Sequence, residues 1–128
     1  MLAPKLLVYD AMTPSPDYAD RTFKFACDIV QFYRALTKVP HFPLGIARQI
    51  LDSGTSIGAN VEEAGAPASR RDLRYKFVLA LKEARETKFW LRLIRATDLA
   101  PAKLTDGLLR ECDELVAIFT VSVRNLDG

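Results

Sequence analysis

At 128 residues the chain is long enough for one domain and too short for two comfortable ones. Hydrophobic residues make up 49% of it, which supports a packed core and excludes a wholly disordered chain. A net charge of +2 excludes the strongly basic composition of a general nucleic-acid binder, although an average of this kind hides local patches.

Cys27 and Cys112 have no C-x-x-C spacing and no secretory leader before them, so they read as buried small hydrophobes. With His41 the single histidine, a histidine-rich metal site is excluded, and neither metal nor cofactor is expected. The apolar run Leu2–Tyr9 is broken by Pro4 and Lys5 and carries no small-residue cleavage site. No stretch approaches the roughly 18 apolar residues of a membrane span. A cytoplasmic protein without membrane contact is the expectation.

Prolines and glycines punctuate the chain at Pro14 and Pro16, at Pro40 and Pro43, at Gly65 and Pro67, and at Pro101. Four long proline-free stretches lie between them, and no alternating strand pattern flanked by a tight-turn dipeptide occurs. The pattern predicts an all-α chain folded as an antiparallel up-and-down four-helix bundle. Residues 1–14 form an extended N-terminal arm in this reading. The bundle occupies 15–126, with helices over about 16–38, 43–64, 70–97 and 101–125. Helices of ~22 residues are ~33 Å long and match well enough to pack side by side.

The first helix is expected to start with Ser15 as N-cap and Pro16 at its first position. Its core stripe is read as Ala19, Phe23, Ala26, Val30 and Tyr33, with Phe25, Ile29, Phe32 and Leu36 widening the apolar surface. The second helix carries an apolar stripe of Ile46, Ile50, Ile57, Val61 and Ala64. Ala47, Gly54 and Gly58 lie on one flank of it. Each glycine costs up to ~1 kcal/mol inside a helix, so close approach of a neighbouring backbone is expected there. On the other flank Gln49, Ser53, Ser56, Asn60 and Glu63 repeat at spacings of four and three.

That polar stripe admits three readings: solvated surface, a catalytic set with Glu63 or Glu83 as base and Ser56 as nucleophile, or a buried network between the second and third helices. No histidine or lysine is in helical register with either serine and no strained nucleophile turn is present, which disfavours catalysis. Glu83 lies between two apolar faces of the third helix and needs a donor, which Asn60 and the serine hydroxyls are placed to supply. A structural network of Gln49, Ser53, Ser56, Asn60, Glu63 and Glu83 that fixes helix register is the favoured reading, with no catalytic residue.

In the third helix Ser69 and Asp72 resemble a capping box. Leu73, Phe77, Ala80, Ala84, Leu91 and Ile94 form its core stripe. At ~100° per residue Tyr75, Leu79, Trp90 and Leu93 fall on a second apolar side, the expected subunit interface. Pro101 opens the fourth helix, which is expected to bury Leu104, Leu108, Leu115 and Phe119 together with Cys112.

The run Phe42-Pro43, Gln49, Ser53, then Ser56-Ile57-Gly58-Ala59-Asn60-Val61-Glu62-Glu63, and later Lys82-Glu83-Ala84-Arg85-Glu86-Thr87 with Trp90-Leu91, resembles the bacterial 23S rRNA intervening-sequence family. The resemblance covers roughly residues 20–125, and the Ser-Ile-x-Ala-Asn-x-x-Glu element is its most specific part. It implies a small cytosolic four-helix bundle, a ring-shaped homopentamer without known enzymatic activity. The family is distantly similar to accessory bundles of diversity-generating retroelements, which bind nucleic acid and a reverse transcriptase. The common family pattern has Glu-Gly where this chain reads Glu63-Ala64, and often Ser where it has Lys82.

Charge is segregated along the chain. From Ser69 to Thr97 nine basic residues oppose three carboxylates, whereas from Asp98 onward six carboxylates oppose three basic residues. Arg74, Arg85, Lys88, Arg92 and Arg95 share one face of the third helix, and a row of cations on a rigid rod suits a phosphate backbone. The competing reading pairs that row with Asp106, Glu111, Asp113 and Glu114 of the fourth helix. The expected partners are therefore further copies of the chain, and RNA, DNA or a nucleic-acid enzyme at the basic face.

Overall fold

The boundaries at Pro43, Ser69, Asp98 and Pro101 fall where proline, a capping side chain or a left-handed residue interrupts the i→i−4 ladder. The structure, a computed structural model, describes residues 17–127. The arm expected over 1–14, with Ser15 and Pro16, lies outside the described residues. Among the described residues there are four helices and no strand: α1 (Asp17–Leu36), α2 (Leu44–Ala64), α3 (Arg70–Thr97) and α4 (Ala102–Asp127). They form an all-α, antiparallel four-helix bundle.

The caps explain the joints. Pro43 stands in extended geometry before α2 without a side-chain cap. Ser69 Oγ accepts the Asp72 N–H at 3.0 Å and the Asp72 carboxylate accepts the Ala68 N–H at 3.0 Å. The reciprocal bond thus reaches the residue before the N-cap, one earlier than in a standard box. At the other end of α3, Asp98 adopts left-handed geometry at φ 53°, with its N–H and that of Leu99 both directed at the Ile94 carbonyl. That satisfies a helix-end acceptor and turns the chain toward α4. His41 takes the same left-handed geometry between α1 and α2, at φ 61°.

The buried face of α1 is Thr22, Phe25, Ile29, Phe32 and Leu36. This corrects the expected stripe, since Phe23 is 63% and Val30 40% exposed. The two stripes have the same period, so periodicity does not rank them. The stripe with two phenylalanines, Ile29 and Leu36 removes far more apolar area from water than one padded with Ala19 and Ala26. The α2 glycines also fit it. Ile29 packs over Gly54, and the Thr22 carbonyl lies against Gly58.

In α3 the expected core residues Leu73, Phe77, Ala80, Ala84, Leu91 and Ile94 are all buried, joined by Leu81 and Thr87. The Phe77 ring meets Phe119 of α4 at 5.9 Å between centroids. In α4 Cys112, Leu115 and Phe119 are fully buried, but Leu104 and Leu108 are only partly so. The reason is topological. The sequential pairs α1–α2, α2–α3 and α3–α4 pack along their lengths, whereas α1 and α4, which close the bundle, meet sparsely. Leu104 and Leu108 sit on that open seam.

Candidate functional site

α3 presents three surfaces besides its core: a basic row beside α4, a polar edge beside α2, and an outward ridge. The basic row is largely held by the chain itself. Lys88 Nζ meets Asp113 at 2.8 Å, Arg74 meets Asp127 at 2.6 Å, and Arg95 pairs with Asp106. Arg85 and Arg92 have no ion pair among the described residues. Glu111 and Glu114, expected opposite α3, turn instead to α1. Arg21 grips Glu111 through Nε and Nη2, both at 2.6 Å, and reaches Glu114 at 3.2 Å. The Glu111 carboxylate holds the Arg21 guanidinium more firmly protonated than usual, against some cost of burial, and Glu114 adds to the effect. No feature of local periodicity announces a pair separated by 90 residues.

On the polar edge, one contact crosses between helices in the core. The Ser53 and Thr87 hydroxyls, both 0% exposed, lie 2.9 Å apart, and Thr87 Oγ1 is also 2.8 Å from the Glu83 carbonyl. A hydroxyl has one hydrogen. When Thr87 donates to that carbonyl, Ser53 donates to Thr87, and every buried polar atom of the pair is satisfied. Thr87 was legible as a polar β-branched residue in register with Leu73, Ala80 and Ile94. Glu63 also reaches α3, accepting from Lys76 Nζ at 2.8 Å on the surface.

The other residues of the stripe turn into their own helix or outward. Ser56 Oγ donates to the Asp52 carbonyl at 2.6 Å, and Asn60 Nδ2 to the Ser56 carbonyl at 2.8 Å. Gln49 is exposed. The Glu83 carboxylate receives neither donor expected for it. Burial raises its pKa, Glu86 raises it further, Lys82 opposes, and Asp52 adds a smaller increase.

The outward ridge combines Tyr75, 56% exposed, and Phe89, 54% exposed, with the partly buried Leu79, Trp90 and Leu93. Phe89 and Trp90 pack edge to face with centroids 5.1 Å apart, and the Trp90 indole N–H donates to Glu86 at 3.3 Å. Phe89 was absent from the expected interface, although it lies beside Trp90 and on the same side of the helix as Tyr75.

The open α1–α4 seam forms a groove of about 610 Å³. Phe25, Phe32, Ala35, Leu104 and Leu108 make its apolar floor, with Gly107 among them. Lys24 and Asp28 stand on the α1 side, joined at 2.8 Å, and Lys103 and Glu111 on the α4 side. Among the described residues no cluster of three or more His, Cys, Asp or Glu side chains is placed to hold a metal ion. No described helix is long and apolar enough to cross a membrane.

A family profile described as 23S rRNA-intervening sequence protein matches residues 17–120, which takes in nearly all of the four helices. The chain belongs to this family. A solved structure similar to it is a crystal structure of a protein with unknown function from the S23 ribosomal protein family of Bacteroides thetaiotaomicron. The two share 34% identity at a TM-score of 0.76, over 83% of this chain and 97% of that one. No curated protein matches the chain. The helical Ser56–Glu63 element that resembles the intervening-sequence family is thus seen in its setting, with Ile57 and Val61 in the core and Gly58 against α1.

Proposed function

We propose that the protein is a non-enzymatic helical bundle that works as a homo-oligomer, in the pentameric form its family resemblance implies, and serves as a protein-interaction scaffold. The observation that carries this reading is the uncovered aromatic ridge of α3. Tyr75 and Phe89 are each more than half exposed beside a Trp90 already fixed by Glu86, the residue types that anchor subunit contacts. The side chains eligible for catalysis support the non-enzymatic part. Ser56 and Asn60 bond to backbone carbonyls of their own helix and Glu63 to Lys76, so among these side chains no nucleophile stands beside a base.

The basic row of α3 belongs, in this reading, mainly to the ion pairs that fasten α3 to α4. A sequence-independent nucleic-acid contact rests on Arg85 and Arg92, which have no ion pair among the described residues, and is the second reading.

Light scattering on the purified full chain tests the first reading: a mass of several subunits is expected, and a monomer at high micromolar concentration overturns it. Electrophoretic shift with unrelated RNA and DNA at two salt concentrations tests the second. Binding lost at high salt and on joint Arg85→Ser and Arg92→Ser substitution supports it; no affinity at low salt removes it.

A further inference from the structure

We infer that the ridge of α3 in one copy of the chain seats in the open α1–α4 groove of the next, a head-to-tail contact between two different surfaces. The inference rests on the self-association reading and adds to it which faces meet and through which side chains. The ridge is convex, and its two aromatic rings are locked edge to face with the indole N–H held by Glu86. The groove is concave, with an apolar floor of Phe25, Phe32, Leu104 and Leu108, and its ~610 Å³ falls within the ~300–1,000 Å³ range of sites that engulf a ligand of several rings. At Gly107 a β-carbon would meet nothing nearer than the Arg110 guanidinium at 3.9 Å, so the floor has room at that point.

Charge points the same way. Beside Trp90 stands Glu86, which accepts its indole N–H, with Glu83 close enough to feel the Glu86 charge; neither is in an ion pair among the described residues. On the α4 lip of the groove Lys103 likewise has none. The groove's own carboxylates, Asp28 and Glu111, are already paired with Lys24 and Arg21, which leaves Lys103 as its unpaired charge, and docking ridge into groove brings the carboxylate edge to it. Ridge against ridge would instead oppose two convex aromatic surfaces and bring like carboxylates together. A contact between unlike surfaces continues from copy to copy and closes into a ring when the rotation permits.

The test uses two full-length variants with light scattering and size exclusion. Phe89→Asp with Trp90→Ala flattens the ridge and leaves the groove. Gly107→Trp fills the groove and leaves the ridge. Each variant, checked for helix content and cooperative melting, is expected to fall to one subunit. Their equimolar mixture is expected to form a dimer and nothing larger, because it has one working ridge for each working groove and both ends are then capped. If the wild type is an oligomer and either variant keeps its mass, or if the mixture stays monomeric, the pairing is overturned while self-association stands. A monomeric wild type removes the self-association reading itself.

Charge reversal guards against a misfolded variant. Lys103→Glu and Glu83→Lys are each expected to raise the dissociation concentration severalfold, and together to restore it, with the Trp90–Glu86 bond left intact in both. Failure of the double variant to recover overturns the assignment.

Discussion

The side chain of Ile29 occupies the space above Gly54, with three of its carbons 2.7–2.9 Å from where a β-carbon would stand. Ile29 is fully buried, so it has nowhere to retreat. Gly54→Ala should therefore destabilise the fold despite a helix-propensity gain of up to ~1 kcal/mol, since overpacking costs ~1–3 kcal/mol. Gly107→Ala, on an open surface of α4, should stabilise by up to ~1 kcal/mol. Denaturant midpoints measured side by side check the pair: equal shifts in one direction would refute the close-approach account.

The Ser53–Thr87 contact makes a prediction about two substitutions together. Either Ser53→Ala or Thr87→Val alone disrupts a fully buried pair, at a cost of ~1–3 kcal/mol. The double substitution removes both hydroxyls and should cost less than the sum of the singles. A double-mutant cycle by urea unfolding reads the coupling, and additive losses would mean that α2 and α3 do not communicate through this bond.

The fold was legible because its signals are local. Pro43, Ser69 with Asp72, and the Leu73–Ile94 stripe act within one or two turns, and they place the helices without reference to neighbours. What was not legible depends on which helix lies beside which. α1 carries two stripes of equal period, and it takes the greater apolar area of one of them, together with Gly54 and Gly58 opposite Ile29 and Thr22, to select between them. The acidic residues of α4 divide the same way: Asp106 and Asp113 face α3 while Glu111 and Glu114, on another side of the same helix, face Arg21. Within the candidate site, Trp90 and Tyr75 stood out from their spacing. The groove did not, since a seam that packs sparsely leaves no mark on either of the helices that flank it.

Glu83 links the polar edge of α3 to pH. Burial raises its carboxyl pKa above the ordinary range, and Glu86 and Asp52 reinforce the shift against Lys82. A carboxyl whose pKa is higher folded than unfolded binds more protons in the native state between those two values. Its contribution to stability is most favourable at low pH and declines as pH rises from the ordinary carboxylate range through the raised one. Glu83→Gln should accordingly be more stable than the wild type at neutral pH, with the difference shrinking on acidification below the ordinary carboxylate range. Thermal melts from pH 3 to 8 distinguish this from a helix-propensity effect, which would be the same at every pH (both limits being approximate).

The two cysteines should differ sharply in reactivity, and one of them reports on the α3–α4 contact. Cys27 is exposed on α1, whereas Cys112 is fully buried on α4 with its thiol donating to the Ala84 carbonyl at 3.2 Å. Burial, reinforced by Asp113, pushes the Cys112 pKa up to about 12, so almost no thiolate is present near neutrality. A thiol reagent at pH 8 should modify one cysteine per folded chain quickly. The second should react only as fast as the bundle opens. Removing the ion pairs that join these helices, by Lys88→Ala and Arg95→Ala, should accelerate the slow phase, because each partly exposed pair contributes ~0.2–1 kcal/mol. Rapid modification of both thiols in the folded chain would show that Cys112 is not sealed between α3 and α4.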